Sequence, residues 1–225
     1  MSLGAGVDFR YRATDAEELD LGVDDDEARR SLADLRFVNR WLGGRRAIAR
    51  AVLPHLRAGS RLLDVGCGSG DLPAFLTRSA AVPFLAVGLD VKALHLREAP
   101  PEVRPVVADV RHLPFGPRSF DVVTASLFLH HFDAPELPGL LRALFALCRG
   151  VFVVNDLHRA RVPYAFSRLF MPLAFKSPVS VNDGLLSIRR AFTPRELAGA
   201  FSAAGIAGAT VTRRFPYRLV AVAEA

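Results

Sequence analysis

Hydrophobic positions along the chain follow two different periods, and the change falls near residue 60. In the first part Leu32, Leu35, Val38, Trp41 and Leu42 recur at helical spacing behind Asp24, Asp25, Asp26 and Glu27, whose negative charge suits a helix N-terminus. Gly43-Gly44 interrupts this helix, and Ile48, Val52 and Leu56 continue a second amphipathic stretch that Pro54 helps to close. Past Arg61, short apolar runs alternate with helical stretches, the pattern of a parallel sheet with crossover helices. The runs predict strands over 61–65, 84–90, 105–108, 120–125 and 151–155, with helices over 70–79, 92–98 and 135–148 between them. In the last of these helices Leu137, Leu140, Leu141, Leu144 and Leu147 share one face.

The tail reads differently. Thr193-Pro194-Arg195-Glu196 has the form of a capping box and predicts a helix over 194–204, stopped by Gly205. Two β-like segments, 209–215 and 217–223, are joined around Pro216, and their closeness predicts an antiparallel pair at one sheet edge. The stretch 156–192 breaks the alternation and carries Tyr164, Phe166, Phe170, Met171 and Phe175. It reads as a helical insert, either covering a ligand above the carboxyl ends of the strands or packed on the sheet with its aromatics in the core. The organisation expected is an N-terminal helical segment over 1–58, as a lid or a dimer contact, followed by one α/β domain over 59–225. That domain should be a three-layer sandwich around a mostly parallel, seven-stranded sheet, with the antiparallel pair at its C-terminal edge and the insert at 156–192.

A hydrophobic fraction of 51% in 225 residues supports a sizeable core and excludes disorder as the main state. The net charge is +6; of 29 basic residues only Lys92 and Lys176 are lysines, so 27 are arginines (29 − 2). Such a balance permits nucleic acid, an acidic membrane surface, or neither. The arginines are interspersed with acids and no RNA-binding module is recognisable, so no nucleic acid is expected as partner. Two cysteines, Cys67 and Cys148, form no disulfide framework and fit a reducing, cytoplasmic setting. Residues 1–20 lack a signal-type apolar core, and the longest uncharged stretch, 197–212, is broken by Ser, Thr and Gly, so no membrane span is expected.

The strongest chemical signal is Asp64-Val65-Gly66-Cys67-Gly68-Ser69-Gly70-Asp71, which follows a predicted strand and opens a predicted helix. It lacks the third glycine spacing of a dinucleotide site and the Gly-Lys-Ser/Thr ending of a P-loop, and Asp71 in the first helical turn opposes a pyrophosphate. Asp64 and Asp71 instead suit a ligand with positive charge and no phosphate. S-adenosylmethionine carries an ammonium and a sulfonium, and Asp90, ending the second strand, can accept from its ribose hydroxyls. Asp109 can accept from the adenine amine while Val110 offers its backbone amide.

Asp64-x-Gly66-x-Gly68-x-Gly70, Asp90, Ala108-Asp109-Val110, Leu113-Pro114-Phe115 and Phe120-Asp121-Val122-Val123 occur in the order found in class I, Rossmann-like S-adenosylmethionine-dependent methyltransferases, and the chain resembles that family from about Arg61 to Asn155. The resemblance implies that Asp64, Gly66, Cys67, Gly68 and Gly70 line the methionine moiety, Asp90 and Val91 the ribose, and Asp109 and Val110 the adenine, with Ser126 beside the cofactor. Asp121, at the start of its strand, is expected to fix local backbone.

Acceptor-side candidates follow the fourth and fifth strands. His130 and His131 are candidate bases toward a phenol or similar hydroxyl, His131 the preferred one; holding backbone in the loop is the other role open to them. His158, Arg159 and Tyr164 are candidate acceptor contacts, and Arg159 and Arg161 the arginines placed to meet an acidic acceptor. Asn155-Asp156 resembles in reversed order the metal-binding pair of catechol-type methyltransferases, but Ala125-Ser126 supplies no further carboxylate, so no metal is expected. The resulting expectation is methyl transfer to a small hydroxylated metabolite, aromatic and quinol- or polyketide-like, as in natural-product biosynthesis, by a monomer or homodimer. Methylation of RNA or protein, or a non-catalytic cofactor-binding scaffold, are the alternatives.

Overall fold

The structure is a computed structural model that describes residues 7–41 and 44–225, without the side chains of Asp20, Asn39, Arg40 and Trp41; Leu42 and Gly43, the latter part of the predicted Gly43-Gly44 break, lie outside the described residues. Strands β1 (Arg61–Val65), β2 (Leu85–Asp90), β3 (Val103–Val107), β4 (Phe120–Ser126), β5 (Cys148–Leu157), β6 (Thr210–Arg214) and β7 (Arg218–Glu224) form one sheet in the order β3-β2-β1-β4-β5-β7-β6. All neighbouring pairs among the first five strands are parallel, and β7 is antiparallel to both β5 and β6. The expected seven-stranded sheet with an antiparallel C-terminal pair is therefore the architecture found. The last strand lies inside the sheet and β6 forms the edge. On the opposite edge Pro105 sits in β3, where a missing backbone donor is tolerated.

The helices are α1 (Glu18–Leu21), α2 (Asp25–Trp41), α3 (Gly44–Val52), α4 (Asp71–Ser79), α5 (Ala93–Leu96), α6 (Leu137–Ala146), α7 (Arg161–Ala174), α8 (Pro178–Arg190) and α9 (Pro194–Ala203). Two apolar cores make the three layers. Leu137, Leu140, Leu141 and Leu144 of α6 and Leu197 and Phe201 of α9 pack on one face of the sheet. Ile48 and Val52 of α3 and Leu72 and Leu76 of α4 pack on the other, against Leu62, Val122, Val151 and Val220. The predicted capping box of α9 is present, with Thr193 accepting from the Glu196 amide and Glu196 from the Thr193 amide.

Because α3 belongs to this second layer, only α1 and α2 of the N-terminal stretch stand over the carboxyl ends of the strands, with the insert. The insert is a helix pair rather than a sheet-packed segment. Gly184 of α8 lets Met171 of α7 approach closely, since a Cβ there would lie 2.8 Å from its terminal methyl carbon. Asp34 of α2 accepts from the amides of Lys176 and Ser177 at the start of α8, at 3.1 and 3.0 Å. Asp183 of α8 accepts from the Glu18 and Leu19 amides at the start of α1, at 2.8 and 2.9 Å. These charge-assisted bonds join α1, α2 and α8 into one cover. None of the described helices is long and apolar enough to cross a membrane.

Candidate active site

A cavity of about 450 Å³ runs from the glycine loop to the underside of this cover. One wall is polar. Asp64, next to last in β1, lies on the same sheet face as Thr124 of the neighbouring strand, whose hydroxyl donates to Asp64 Oδ1 at 2.6 Å. Burial pushes the Asp64 carboxyl up to about 7, partly opposed by that bond. Asp90 ends β2 and accepts from the Gly68 and Lys92 amides, each at 2.9 Å, which shapes both the glycine loop and the turn after β2. Its carboxylate retains lone pairs toward the cavity. Asp109 is partly exposed in the same wall and accepts from the Arg111 amide at 2.9 Å.

The loop backbone explains its glycines. Gly66, Gly68 and Gly70 all have positive φ, 65°, 55° and 69°. At Gly66 an added Cβ would lie 2.1 Å from the Phe128 ring, so the ring rests directly on the backbone of the loop. Asp64, Gly66, Cys67, Gly68, Asp90, Val91, Asp109, Val110 and Ser126 all line the cavity, as does His158. Gly70 does not; its left-handed conformation starts α4.

Three expectations are corrected. Asp71 lines the cavity, but Arg45 of α3 pairs with it at 2.6 and 2.9 Å and balances its charge. Arg159 is buried away from the cavity, donating to the carbonyls of Phe9, Arg10 and Ala191 and pairing with Glu196, so it ties the N-terminal segment to α9. Tyr164 also faces away and packs edge-on against Phe9, ring centroids 5.3 Å apart. Asp121 behaves as expected: it accepts from the Arg61 amide and pairs with Arg149 at the far end of the sheet.

The two histidines occupy a short 3₁₀ turn, residues 129–131, after β4, and their environments differ. Arg190 donates to the carbonyls of His130 and His131, both at 2.8 Å, and Arg12 donates to those of His130 and Phe132. His130 is buried, with Nδ1 2.7 Å from Asp156 Oδ1 and Nε2 3.5 Å from Glu17 Oε1. Burial opposes its charge, yet Asp156 and Glu17 prevail and push the imidazole up to about 10. Burial likewise works against ionised Glu17 and Asp156, and the facing His130 holds both below the usual carboxylate range. His131 is a quarter exposed, lines the cavity, and has Nδ1 3.9 Å from Glu17 Oε2.

Glu17 and Arg218 are cavity residues that the sequence pattern did not single out. Glu17 lies in a polar stretch with no motif, and its placement depends on α1 docking against α8, where the Ser187 hydroxyl donates to it at 2.5 Å. Among the described residues, Glu17, His130 and His131 also form a group whose ligand-type atoms lie within 4.8 Å of one another. The rest of the chamber is apolar: Leu32 and Leu35 from α2, Phe128 and Phe132 from the turn, Met171 from α7 and Ile188 from α8.

The cradle fits a ligand with a cation at its loop end, a hydroxyl-bearing sugar at Asp90 and a flat amine-bearing ring at Asp109. The supporting observations are the buried Asp64 carboxyl, with no cation paired to it among the described residues, and the positive-φ glycine backbone of Gly66 and Gly68 in the cavity wall.

A methyltransferase-domain family model matches residues 62–150. The chain is 30% identical over 142 residues to the 2-phytyl-1,4-naphtoquinone methyltransferase of Nostoc punctiforme, covering 57% of this chain and 60% of that one. It is 30% identical over 155 residues to the ubiquinone biosynthesis O-methyltransferase of Aeromonas salmonicida, covering 66% and 63%. The match thus spans about three-fifths of those relatives' length. An S-adenosylmethionine-dependent methyltransferase from Aquifex aeolicus has the same fold, with a TM-score of 0.64 over 90% of this chain and 99% of that one at 14% identity.

Proposed function

Because the chain belongs to the class I, Rossmann-like S-adenosylmethionine-dependent methyltransferases, we propose that it methylates a hydroxyl on a small, apolar, aromatic acceptor of quinol- or polyketide-like type. The observation that carries this reading is the cavity itself. It joins the acidic cradle at β1, β2 and β3 to an apolar chamber whose polar end holds Glu17 and His131. A concave cleft partly covered by α1, α2, α7 and α8 suits a small molecule better than a polymer. The names of the relatives above, a naphtoquinone methyltransferase and an O-methyltransferase of ubiquinone biosynthesis, support the same class of acceptor.

S-adenosylmethionine, when bound, supplies a methyl group on a sulfonium. The chain's residues bind and orient. Asp64 takes the ammonium, and the proton it holds below about pH 7 must leave first. Asp90 accepts from the ribose hydroxyls, and Asp109 with the Val110 amide holds the adenine. Phe128 rests on Gly66 and lines the cavity beside the loop.

His131 takes the proton from the acceptor hydroxyl, since it lines the chamber while His130 is already protonated between two carboxylates. Glu17 and His130 are positioning residues: Glu17 faces both rings, and Asp156 fixes His130 from behind. Both serve a reaction that needs no metal, so chelation should leave turnover unchanged. If magnesium or zinc restored a lost rate, Glu17, His130 and His131 would become ligands instead. The helices α1, α2, α7 and α8 act as the cover that excludes water from the chamber.

The test is incubation with methyl-labelled S-adenosylmethionine and a panel of hydroxylated aromatics and quinols. Label transferred to oxygen supports the reading. Label found only on added RNA or protein, or no transfer despite cofactor binding, overturns it.

A further inference from the structure

Arg218 opens β7 and is 1% exposed, yet its side chain makes no hydrogen bond or ion pair with any described residue, and its Nη1 is buried without a partner. The strand register explains this isolation. Arg218 lies opposite Leu157 and therefore leaves the sheet on that residue's face. Asp156, its nearest opposite charge, alternates to the other face and is taken up by the His130 ring and the amides of His130 and Leu157. Arg218 instead lines the acceptor end of the cavity, beside Leu157, His158 and Tyr217. A buried guanidinium without a counter-ion is costly to keep, and a cavity wall is where a ligand removes that cost.

We propose that Arg218 anchors a carboxylate carried by the methyl acceptor, so that the substrate class is an aromatic hydroxy acid rather than a neutral quinol. The inference rests on the methyl-transfer reading for the identity of the ligand, but the anchor itself depends only on the unpaired guanidinium in the cavity wall. A planar carboxylate can accept two parallel N–H bonds from that group, which fixes the ring in one orientation with its hydroxyl free to face His131. Asp156 does not compete, because His130 neutralises it.

The test loads the protein with S-adenosylhomocysteine and measures binding of benzoate against benzamide by calorimetry. Wild type should favour benzoate roughly tenfold or more, the usual scale for a charge-assisted bond. Arg218→Met should bind the two probes equally while keeping its affinity for S-adenosylhomocysteine, which also reports that the variant is folded. Equal affinity in wild type overturns the proposal without any variant, and so does a preference that survives Arg218→Met. If benzoate is preferred but no hydroxy acid accepts a methyl group, the anchor stands and the hydroxyl-methylation reading fails. If neutral phenols are methylated and the benzoate preference is absent, the anchor fails and the methylation reading stands.

Discussion

Replacing Asp64 by Asn should weaken cofactor binding and stabilise the empty protein at the same time. The side chain is buried at the end of β1, and burial raises its pKa from 3.8 to about 7. The folded protein therefore holds a proton between those values that the unfolded chain has released, and its stability falls as pH rises across that window. At about 1.4 kcal/mol per pH unit the interval gives at most about 4 kcal/mol of lost stability, none of it below pH 3.8 and all of it above about pH 7. The substituted amide would carry no charge, and its carbonyl can still accept from Thr124. Urea unfolding of both proteins without ligand should therefore give a stability difference in favour of Asp64→Asn that grows from pH 4 and levels off above pH 7. The same substitution should weaken S-adenosylhomocysteine binding at pH 8 by roughly tenfold to a hundredfold, the value of a charged hydrogen bond. Wild-type affinity should itself fall about tenfold per pH unit below about pH 7, because the carboxyl must ionise before it can meet an ammonium. A variant less stable than wild type at pH 8, or one that binds the ligand as well, would refute the assignment of Asp64 as the cation partner.

His131→Asn should reduce methyl transfer about 10²- to 10⁴-fold with little change in S-adenosylhomocysteine affinity, and the deficit should shrink for acceptors whose hydroxyl is already ionised; a uniform loss across acceptors would point to packing instead. Gly66→Ala must relieve a 2.1 Å approach to Phe128 and a φ of 65°, so calorimetry should find cofactor binding lost or severely weakened; near-normal affinity would show that the loop is not the cradle. His130, raised from 6.5 to about 10, contributes stability that is complete below pH 6.5 and lost as pH rises through about 10. Unfolding of His130→Gln should lack that alkaline decline, and parallel pH profiles for the two proteins would contradict the ion-pair assignment.

The parts of the fold set by local pattern were legible in the chain, including the parallel strands, the leucine face of α6 and the Thr193–Glu196 cap. The gathering of Asp64, Asp90 and Asp109 in one cleft was legible too, because each sits at or just past the carboxyl end of a parallel strand, where periodicity and topology place them together. The acceptor side was less so, because it depends on long-range pairing. Arg159 and Asp71 carry the right charge in the right neighbourhood, but Glu196 and Arg45 neutralise them from 37 and 26 residues away. Arg218 shows the reverse: one arginine among 27 at the start of an ordinary strand acquires its setting only from the antiparallel register with β5. The basic balance of the chain is likewise poor evidence about the ligand. Arg12 and Arg190 spend their charge on backbone carbonyls beneath the site.

We expect the cleft at the carboxyl ends of β1, β2 and β3 to hold S-adenosylmethionine with its methyl directed into the chamber beneath α1 and α8. A crystal structure with S-adenosylhomocysteine tests it most directly. Ribose hydroxyls should sit on the Asp90 carboxylate and the ammonium on Asp64, with the sulfur facing His131. A ligand bound elsewhere, or bound in this cleft with its ribose away from Asp90 and its sulfur turned from His131, would contradict it.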